Sequence, residues 1–428
     1  MYELMLGDNK EVLDQLQDNS LDSLVTDPPY LIKFMNKEWD TENSQAGDSE
    51  FWKLVLKKLK PGAHGLIFGH SRQHHRVMTA LEDAGFEIRD CLMWLYGSGF
   101  PKSHNISIAI DKQVNGMKHR GKRMNHGTTL NTAGEEDLEY NTTVEEHKAM
   151  SSESEKWEGW GTALKPAYEP IILVRKPLEK KLTIAKNVLK HGVGGINIDA
   201  SRVGTDEDFS NVSPRPIQKL NSQNHDENSE SYKKAKEKLQ NIGRFPANVI
   251  LDEEAGKILD EQAPKTGGGH NPKTKITGYG KNYGGTQTYE GPGPKMDGFG
   301  GASRFFYSPK VSKKERNLGC ESLTGKVRNM VNSGGLENDP KWAPRVSKNH
   351  HPTVKPIALM KYLIKLITPP GGKVLDPFMG SGSTGMAAVL LDNMFIGIEM
   401  DKEYYAIAHE RLNWAWEERE RCMNAEQK

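Results

Sequence analysis

The sequence predicts an α/β protein whose parallel sheet is assembled from both ends of the chain. Three observations carry that expectation. Residues 22–86 alternate short apolar runs with helical periodicity, residues 350–421 do so again, and a long polar stretch lies between them. Strand–helix–strand alternation builds parallel sheets, because a parallel pair needs a crossover and a helix is the usual one. Neither half has enough strands for a full doubly wound sheet. Joined through space, they do.

The bulk numbers agree and set bounds. A chain of 428 residues can bury a large core and is long enough for two or three domains. Hydrophobic residues make up 36% and charged residues 27%, with a mean hydropathy of −0.69, as expected of a soluble protein with long polar insertions. The three cysteines, Cys91, Cys320 and Cys422, are far apart and show no C-x-x-C spacing. They read as reduced thiols in a cytoplasmic setting, and no metal site is expected. The opening MYELMLGDNKEVL lacks the basic region and apolar run of a secretion signal, and no stretch approaches the length of a membrane span. A net charge of +1 gives no global attraction to nucleic acid, so any such surface must be local.

The elements follow in order. DSLVTD (22–27) and HGLIFGH (64–70) read as short buried strands. SEFWKLVLKKLKPG (49–62) and SRQHHRVMTALEDAGF (71–86) have helical spacing, each closed by a glycine. His70, His74 and His75 read as helix-start residues. EPIILVRK (169–176) is a further strand candidate. In the second half, KPIALMKYLIKLITPPGG (355–372) reads as a helix that stops at its proline pair. GKVLDPF and NMFIGIEM then flank the helix STGMAAVLLD as strands, and a last helix starts at Asp401 and carries Trp414 and Trp416 as packing residues.

The middle of the chain is the least legible. Residues 113–157 are basic first and acidic later, and read as a flexible insertion. Residues 264–303 are rich in Gly, Lys, Asn and Thr, with Tyr279, Tyr283 and Tyr289 recurring between basic residues. That interleaving suits contact with phosphates and bases, although a solvated loop has a similar composition. WLYGSGFPKSHN (94–105) is an aromatic, glycine-rich turn that could either close over a base or be a plain surface loop.

Two short motifs carry chemistry. Asp27-Pro28-Pro29-Tyr30 ends a buried strand with a stiff, exposed carboxylate beside an aromatic ring. Alone it could be an ordinary turn, since Pro and Asp are common turn formers. Gly380-Ser381-Gly382-Ser383-Thr384-Gly385 follows a strand, opens a helix and has an acid, Glu399, at the end of the next strand. Small residues there admit a ligand to the backbone, and a strand-end carboxylate can accept from two ribose hydroxyls. ATP is disfavoured because the lysine of a P-loop is absent. A nicotinamide dinucleotide would need a full domain, and 43 residues remain after Gly385. S-adenosylmethionine needs only an adenosine cradle and room for its methionine half.

Read together, D-P-P-Y and F-x-G-S-G-S-T resemble the amino-methyltransferases that modify exocyclic nitrogens of DNA bases. Their order, catalytic motif first and cofactor motif last, is that of the β class. Leu6-Gly7-Asp8 resembles the opening cofactor motif of that class, and His351-Pro352-Thr353-Val354-Lys355-Pro356 the motif that leads its first cofactor helix. The resemblance covers about 1–110 and 340–415. It implies a Rossmann-like S-adenosylmethionine-dependent methyltransferase fold, circularly permuted, with an inserted target-recognition region. On that basis 1–112 is the catalytic half, 158–200 a further core segment, 201–340 the target-recognition region and 341–428 the cofactor-binding half. The implied catalytic residues are Asp27, Pro28, Pro29 and Tyr30. The implied cofactor residues are Asp8, Thr353, Lys355, Asp376, Phe378, Gly380, Gly382, Thr384 and Glu399. The implied partner is double-stranded DNA in the cytoplasm of a prokaryotic cell or on a phage genome. A homodimer and an accompanying restriction enzyme are both open.

The chemistry of the tetrad follows from what an exocyclic amine lacks. Its lone pair is delocalised into the ring, so it is a poor nucleophile. A carboxylate at Asp27 and the carbonyl of Pro28 can accept its two N–H groups and draw the nitrogen towards tetrahedral geometry. Two prolines fix φ near −65° and keep those acceptors aimed. Tyr30 offers a face to a flipped base. Asp in the first position goes more often with adenine N6 in this class, and cytosine N4 remains the alternative. A DNA-binding protein with a decayed cofactor site is the remoter one. Phosphate contacts are expected in residues 301–356, which hold 11 Lys/Arg and 4 Asp/Glu, with Lys313, Lys314 and Arg316 as first candidates and a solvated basic face as the competing reading.

Overall fold

The computed structural model describes residues 2–32, 40–41, 44–97, 99, 103–114, 149–204, 230, 243–263, 302–309, 313–328 and 345–426. The tract 115–148, the three interleaved tyrosines and most of 201–340 lie outside the described residues. The chain divides into two compact units. One comprises 1–98, 168–322 and 351–428, and the other 99–167 and 323–350.

The strands are β1 (Tyr2–Leu6), β2 (Leu21–Thr26), β3 (Leu59–Phe68), β4 (Glu87–Leu95), β5 (Tyr168–Arg175), β6 (Val249–Leu251), β7 (Lys326–Arg328), β8 (Arg345–Ser347), β9 (Lys373–Asp376) and β10 (Met394–Glu399). In the larger unit eight of them form one sheet, in the order β1-β10-β9-β2-β3-β5-β4-β6. The two ends of the chain therefore meet inside it. β1 lies parallel to β10, with Tyr2 opposite Phe395 and Leu6 opposite Glu399, and β9 lies parallel to β2. In the smaller unit β7 and β8 pair as an antiparallel two-stranded sheet, and helices span Ile106–Val114 and Ser152–Glu155.

Alternate residues of the central strands feed two cores, as a pleated strand covered on both faces requires. Val25, Leu66, Phe68, Ile171, Leu173 and Val374 pack with helices Ile357–Ile367, Ser383–Val389 and Lys402–Glu426. Leu24, Ile67, Ile172, Val174 and Leu375 pack with helices Ser49–Lys58 and His74–Asp83, through Phe51, Trp52, Val55, Val77 and Leu81. Trp414 and Trp416 pack against the first of these cores.

The wholly parallel sheet expected from the alternation is corrected at one strand. β5 runs antiparallel to both β3 and β4. The crossover from β3 through helix His74–Asp83 leaves a gap in the sheet, and β5 fills it from the opposite direction after the chain returns from the smaller unit.

Candidate active site

Asp27 and Asp376 end neighbouring strands, so both Asp-Pro motifs leave the sheet side by side at its carboxyl edge. That edge is where open α/β sheets bind ligands. The two motifs are held very differently.

On the cofactor side, Asp376 is 2% exposed and acts as a staple. Its carboxylate accepts from Thr26 Oγ1 (2.6 Å), Thr384 Oγ1 (2.6 Å) and the Phe378 N–H (3.1 Å). Burial pushes it up to about 6 even so. Gly380 and Gly382 take φ of +54° and +78°, which only glycine adopts readily. A Cβ at Gly380 would sit 2.8 Å from His351 Nε2, and one at Gly382 would sit 2.7 Å from Leu412 Cδ1. The Gly380 N–H donates to Glu399 Oε2 (2.8 Å) and the Asp401 N–H to Glu399 Oε1 (2.8 Å). Burial raises Glu399 to about 7.

Asp8 caps helix Asn9–Gln15 through the Lys10 N–H (2.8 Å) and accepts from Gln45 Nε2 (3.2 Å). It stands beside Glu399, since the Gly7 N–H donates to the Glu399 carbonyl (3.0 Å). Phe378 packs against Phe51 and Trp52, with ring centroids 5.2 and 6.3 Å apart. Thr353 takes part through its carbonyl, which accepts from His351 Nδ1 (2.7 Å). Burial lowers His351 to about 4, so the ring against the glycine loop is neutral near pH 7.

A residue that periodicity did not single out supports this loop from behind. Arg411, fully buried in the last helix, donates from Nη1 to the Ser381 carbonyl (2.6 Å), to Ser381 Oγ (3.0 Å) and to Ser383 Oγ (3.3 Å). Its Nε and Nη2 have no partner among the described residues. Its partners lie about 30 positions away in the chain, so no sequence pattern marks it.

On the catalytic side, Tyr30 Oη donates towards Asp27 Oδ1 (2.8 Å) and lies 3.0 Å from Glu169 Oε2. Lys355, expected at the cofactor, is placed here. Its Nζ lies 2.6 Å from Asp27 Oδ2, 3.0 Å from Tyr30 Oη and 3.3 Å from Glu169 Oε2. Burial works against the Lys355 ammonium, but the carboxylates of Asp27 and Glu169 outweigh it and its pKa is raised. Burial, then the same two carboxylates, lift the Tyr30 phenol well above its usual value. Pro28 is buried, and Leu31 just beyond the tetrad takes φ of +60° with its N–H held by Asp40 Oδ1 (2.8 Å). A buried leucine in that conformation is strained, as residues near functional sites often are. Glu169 was legible only as the first polar residue of a strand.

The basic turn divides. Lys313 and Lys314 lie in a single 3₁₀ turn, Lys313–Asn317, and their side chains lie outside the described residues. Arg316 donates to the His351 carbonyl and Glu315 accepts from the Ile357 N–H, so this turn braces the segment that carries Lys355.

The cofactor side fits S-adenosylmethionine. Asp8, Glu399 and a left-handed glycine turn suit hydroxyls, an amine and a sulfonium cation. The Asp8 carboxylate would oppose the phosphates of a nucleotide placed there.

Comparisons with known proteins identify the family. A family model described as DNA methylase, of N6/N4 methyltransferases, matches residues 21–410. Type II methyltransferase M2.DpnII of Streptococcus pneumoniae is 44% identical over 112 residues, which are 25% of this chain and 40% of that one. DNA adenine methyltransferase YhdJ of Escherichia coli is 47% identical over 66 residues, 15% of this chain and 22% of that one. The aligned segments thus span less than half of either relative. The crystal structure of an M1.HpyAVI–SAM complex aligns over 96% of this chain and 100% of that one, with 16% identity and a TM-score of 0.38. S-adenosylmethionine is the cofactor of the matched family. With a family model covering most of its length, the chain belongs to the N6/N4 DNA methylase family.

Proposed function

We propose that this protein transfers a methyl group from S-adenosylmethionine to N6 of an adenine flipped out of double-stranded DNA. The observation that carries the reading is Asp27, a carboxylate on a rigid proline turn, placed one strand away from the glycine loop. S-adenosylmethionine, when bound, supplies an electrophilic methyl on a good leaving group. The chain's own work is then positional. Asp8 and Glu399 serve the adenosine half, and Gly380 and Gly382 allow close approach of backbone to ligand, a reading supported by their place at the carboxyl edge of the sheet. Asp27 and the Pro28 carbonyl accept the two amine hydrogens, and Asp27 can receive the proton the nitrogen loses. Tyr30 forms a wall for the extruded base.

Adenine is favoured by Asp in the first position of the tetrad and by a relative named as an adenine methyltransferase. Cytosine N4 is the second reading, since the same acceptors suit its amine. The tract 201–340 is assigned to target recognition, with Lys313 and Lys314 as phosphate contacts whose binding should weaken as salt rises.

Single-molecule sequencing of DNA from cells expressing the protein or Asp27→Ala tests this. Modified adenine at one recurring motif, lost in the variant, supports the reading. Modified cytosine moves it to N4. No modification with the intact protein removes it.

A further inference from the structure

We infer that Glu169 is a positioning residue that takes the Lys355 ammonium and the Tyr30 hydroxyl from Asp27 when the target amine arrives. The inference rests on the proposed methyl transfer and begins from an obstacle to it. Both carboxylate oxygens of Asp27 are engaged, Oδ1 by Tyr30 Oη at 2.8 Å and Oδ2 by Lys355 Nζ at 2.6 Å. An amine that needs an acceptor there finds two donors already in place.

Glu169 is built to receive them. Its Oε2 is 3.0 Å from Tyr30 Oη and 3.3 Å from Lys355 Nζ, so a shift of under about 1 Å brings each donor fully onto it. A phenol has one hydrogen and can donate fully to one carboxylate at a time. The ammonium side chain is only 8% exposed, so leaving Asp27 without a second carboxylate would strand a buried, unpaired cation. With Glu169 present, one cation faces two carboxylates. After the handover one ion pair remains intact and one carboxylate is open to the amine.

The surroundings permit the swing and hold the receiver. Lys355 Nζ lies 4.9 Å from the Phe68 ring centroid and 5.3 Å from that of Tyr30, aromatic faces that support a cation in either position. Glu169 sits on β5 opposite Trp94 and is followed by buried Pro170, so its backbone is fixed. Glutamate on a fixed strand beside this lysine is thus an acceptor in waiting.

The test uses the full chain and duplexes carrying the motif found by sequencing. In Glu169→Gln, single-turnover methyl transfer should fall about 10- to 100-fold, with S-adenosylmethionine affinity unchanged. Affinity for DNA should weaken when the target base is adenine and stay at the wild-type level when it is purine, which lacks the 6-amino group. Glu169→Asp, which keeps the charge, should recover part of the rate. Equal weakening for both duplexes would mark a structural role and overturn the handover, as would an unchanged rate. A wild-type chain that fails to methylate would overturn the proposed function and the handover together, whereas an active wild type with an indifferent Glu169→Gln removes the handover alone.

Discussion

The Asp-Pro-Pro-Tyr corner and the glycine loop stand at the ends of adjacent strands, yet they are held by opposite means. At the corner, Tyr30 Oη and Lys355 Nζ each lie within 3.3 Å of a carboxylate oxygen of both Asp27 and Glu169, so both donors have an alternative acceptor in reach. At the loop, Asp376 is fixed by two hydroxyls and a backbone N–H, Glu399 by two backbone N–H groups, and Ser381 by a buried arginine. None of those loop donors is shared between two carboxylates. Contacts that must be exchanged during a reaction are built with a second partner nearby. Contacts that must persist are built without one. On the proposed reading, the cofactor cradle stands ready while Asp27 waits in a locked, exchangeable state.

If the two regions are separable in this way, substitutions should divide cleanly. The largest effect belongs to the corner. Asp27→Ala should cut methyl transfer by about 10² or more. Cofactor affinity measured by calorimetry should stay within about threefold of wild type, because no loop contact passes through Asp27; parallel losses of both would break the division. Arg411→Met should do the reverse. Loss of charge-assisted donors to Ser381, worth about 1.5–3 kcal/mol each, should weaken S-adenosylmethionine binding tenfold or more, with near-normal turnover once the cofactor saturates. Melting should fall by a few degrees as well, since the buried Ser381 carbonyl is left without its donor. Gly382→Ala should destabilise the chain by about 1–3 kcal/mol in chemical denaturation, because φ is +78° and Leu412 and Ala408 stand in the way.

The same contrast explains what the sequence revealed. The glycine loop and the Asp-Pro-Pro-Tyr turn were legible because rigid backbone needs particular residues, and those residues recur as motifs. The central strands β2, β3, β5, β9 and β10 were legible as apolar runs. β1 and β4 were not, because YELML and EIRDCLMWL carry polar residues and sit in outer positions of the sheet. The antiparallel direction of β5 was hidden, since direction depends on where the intervening chain returns. Glu169 and Arg411 were hidden for a related reason: each acts on residues far away in sequence. Lys355 was found by its motif, but its neighbours Asp27, Tyr30 and Glu169 were not legible, as the strand beside it, not its spacing, decides what an ammonium meets.

The smallest effect distinguishes a loop carboxylate that is neutral at rest from one that is charged. Burial raises Glu399 to about 7 and Asp376 to about 6, so the folded chain keeps protons that the unfolded chain releases near pH 4. The folded state binds more protons across that window, so stability falls as pH rises from about 4 to about 7 and is flat above it. At about 1.4 kcal/mol per unit, Glu399 accounts for up to about 3 kcal/mol of that fall. Glu399→Gln removes the charge but loses one acceptor for the Gly380 and Asp401 N–H pair, which returns about 1 kcal/mol. The variant should therefore melt a few degrees higher than wild type at about pH 8 and no higher at about pH 4.5. Cofactor binding should show the mirror image. Only the ionised carboxylate accepts from both ribose hydroxyls, so wild-type affinity should strengthen as pH crosses about 7, and the variant's should not change. A pH-independent wild type would mean that Glu399 is already ionised in the free chain and that the loop, like the corner, is held by charge.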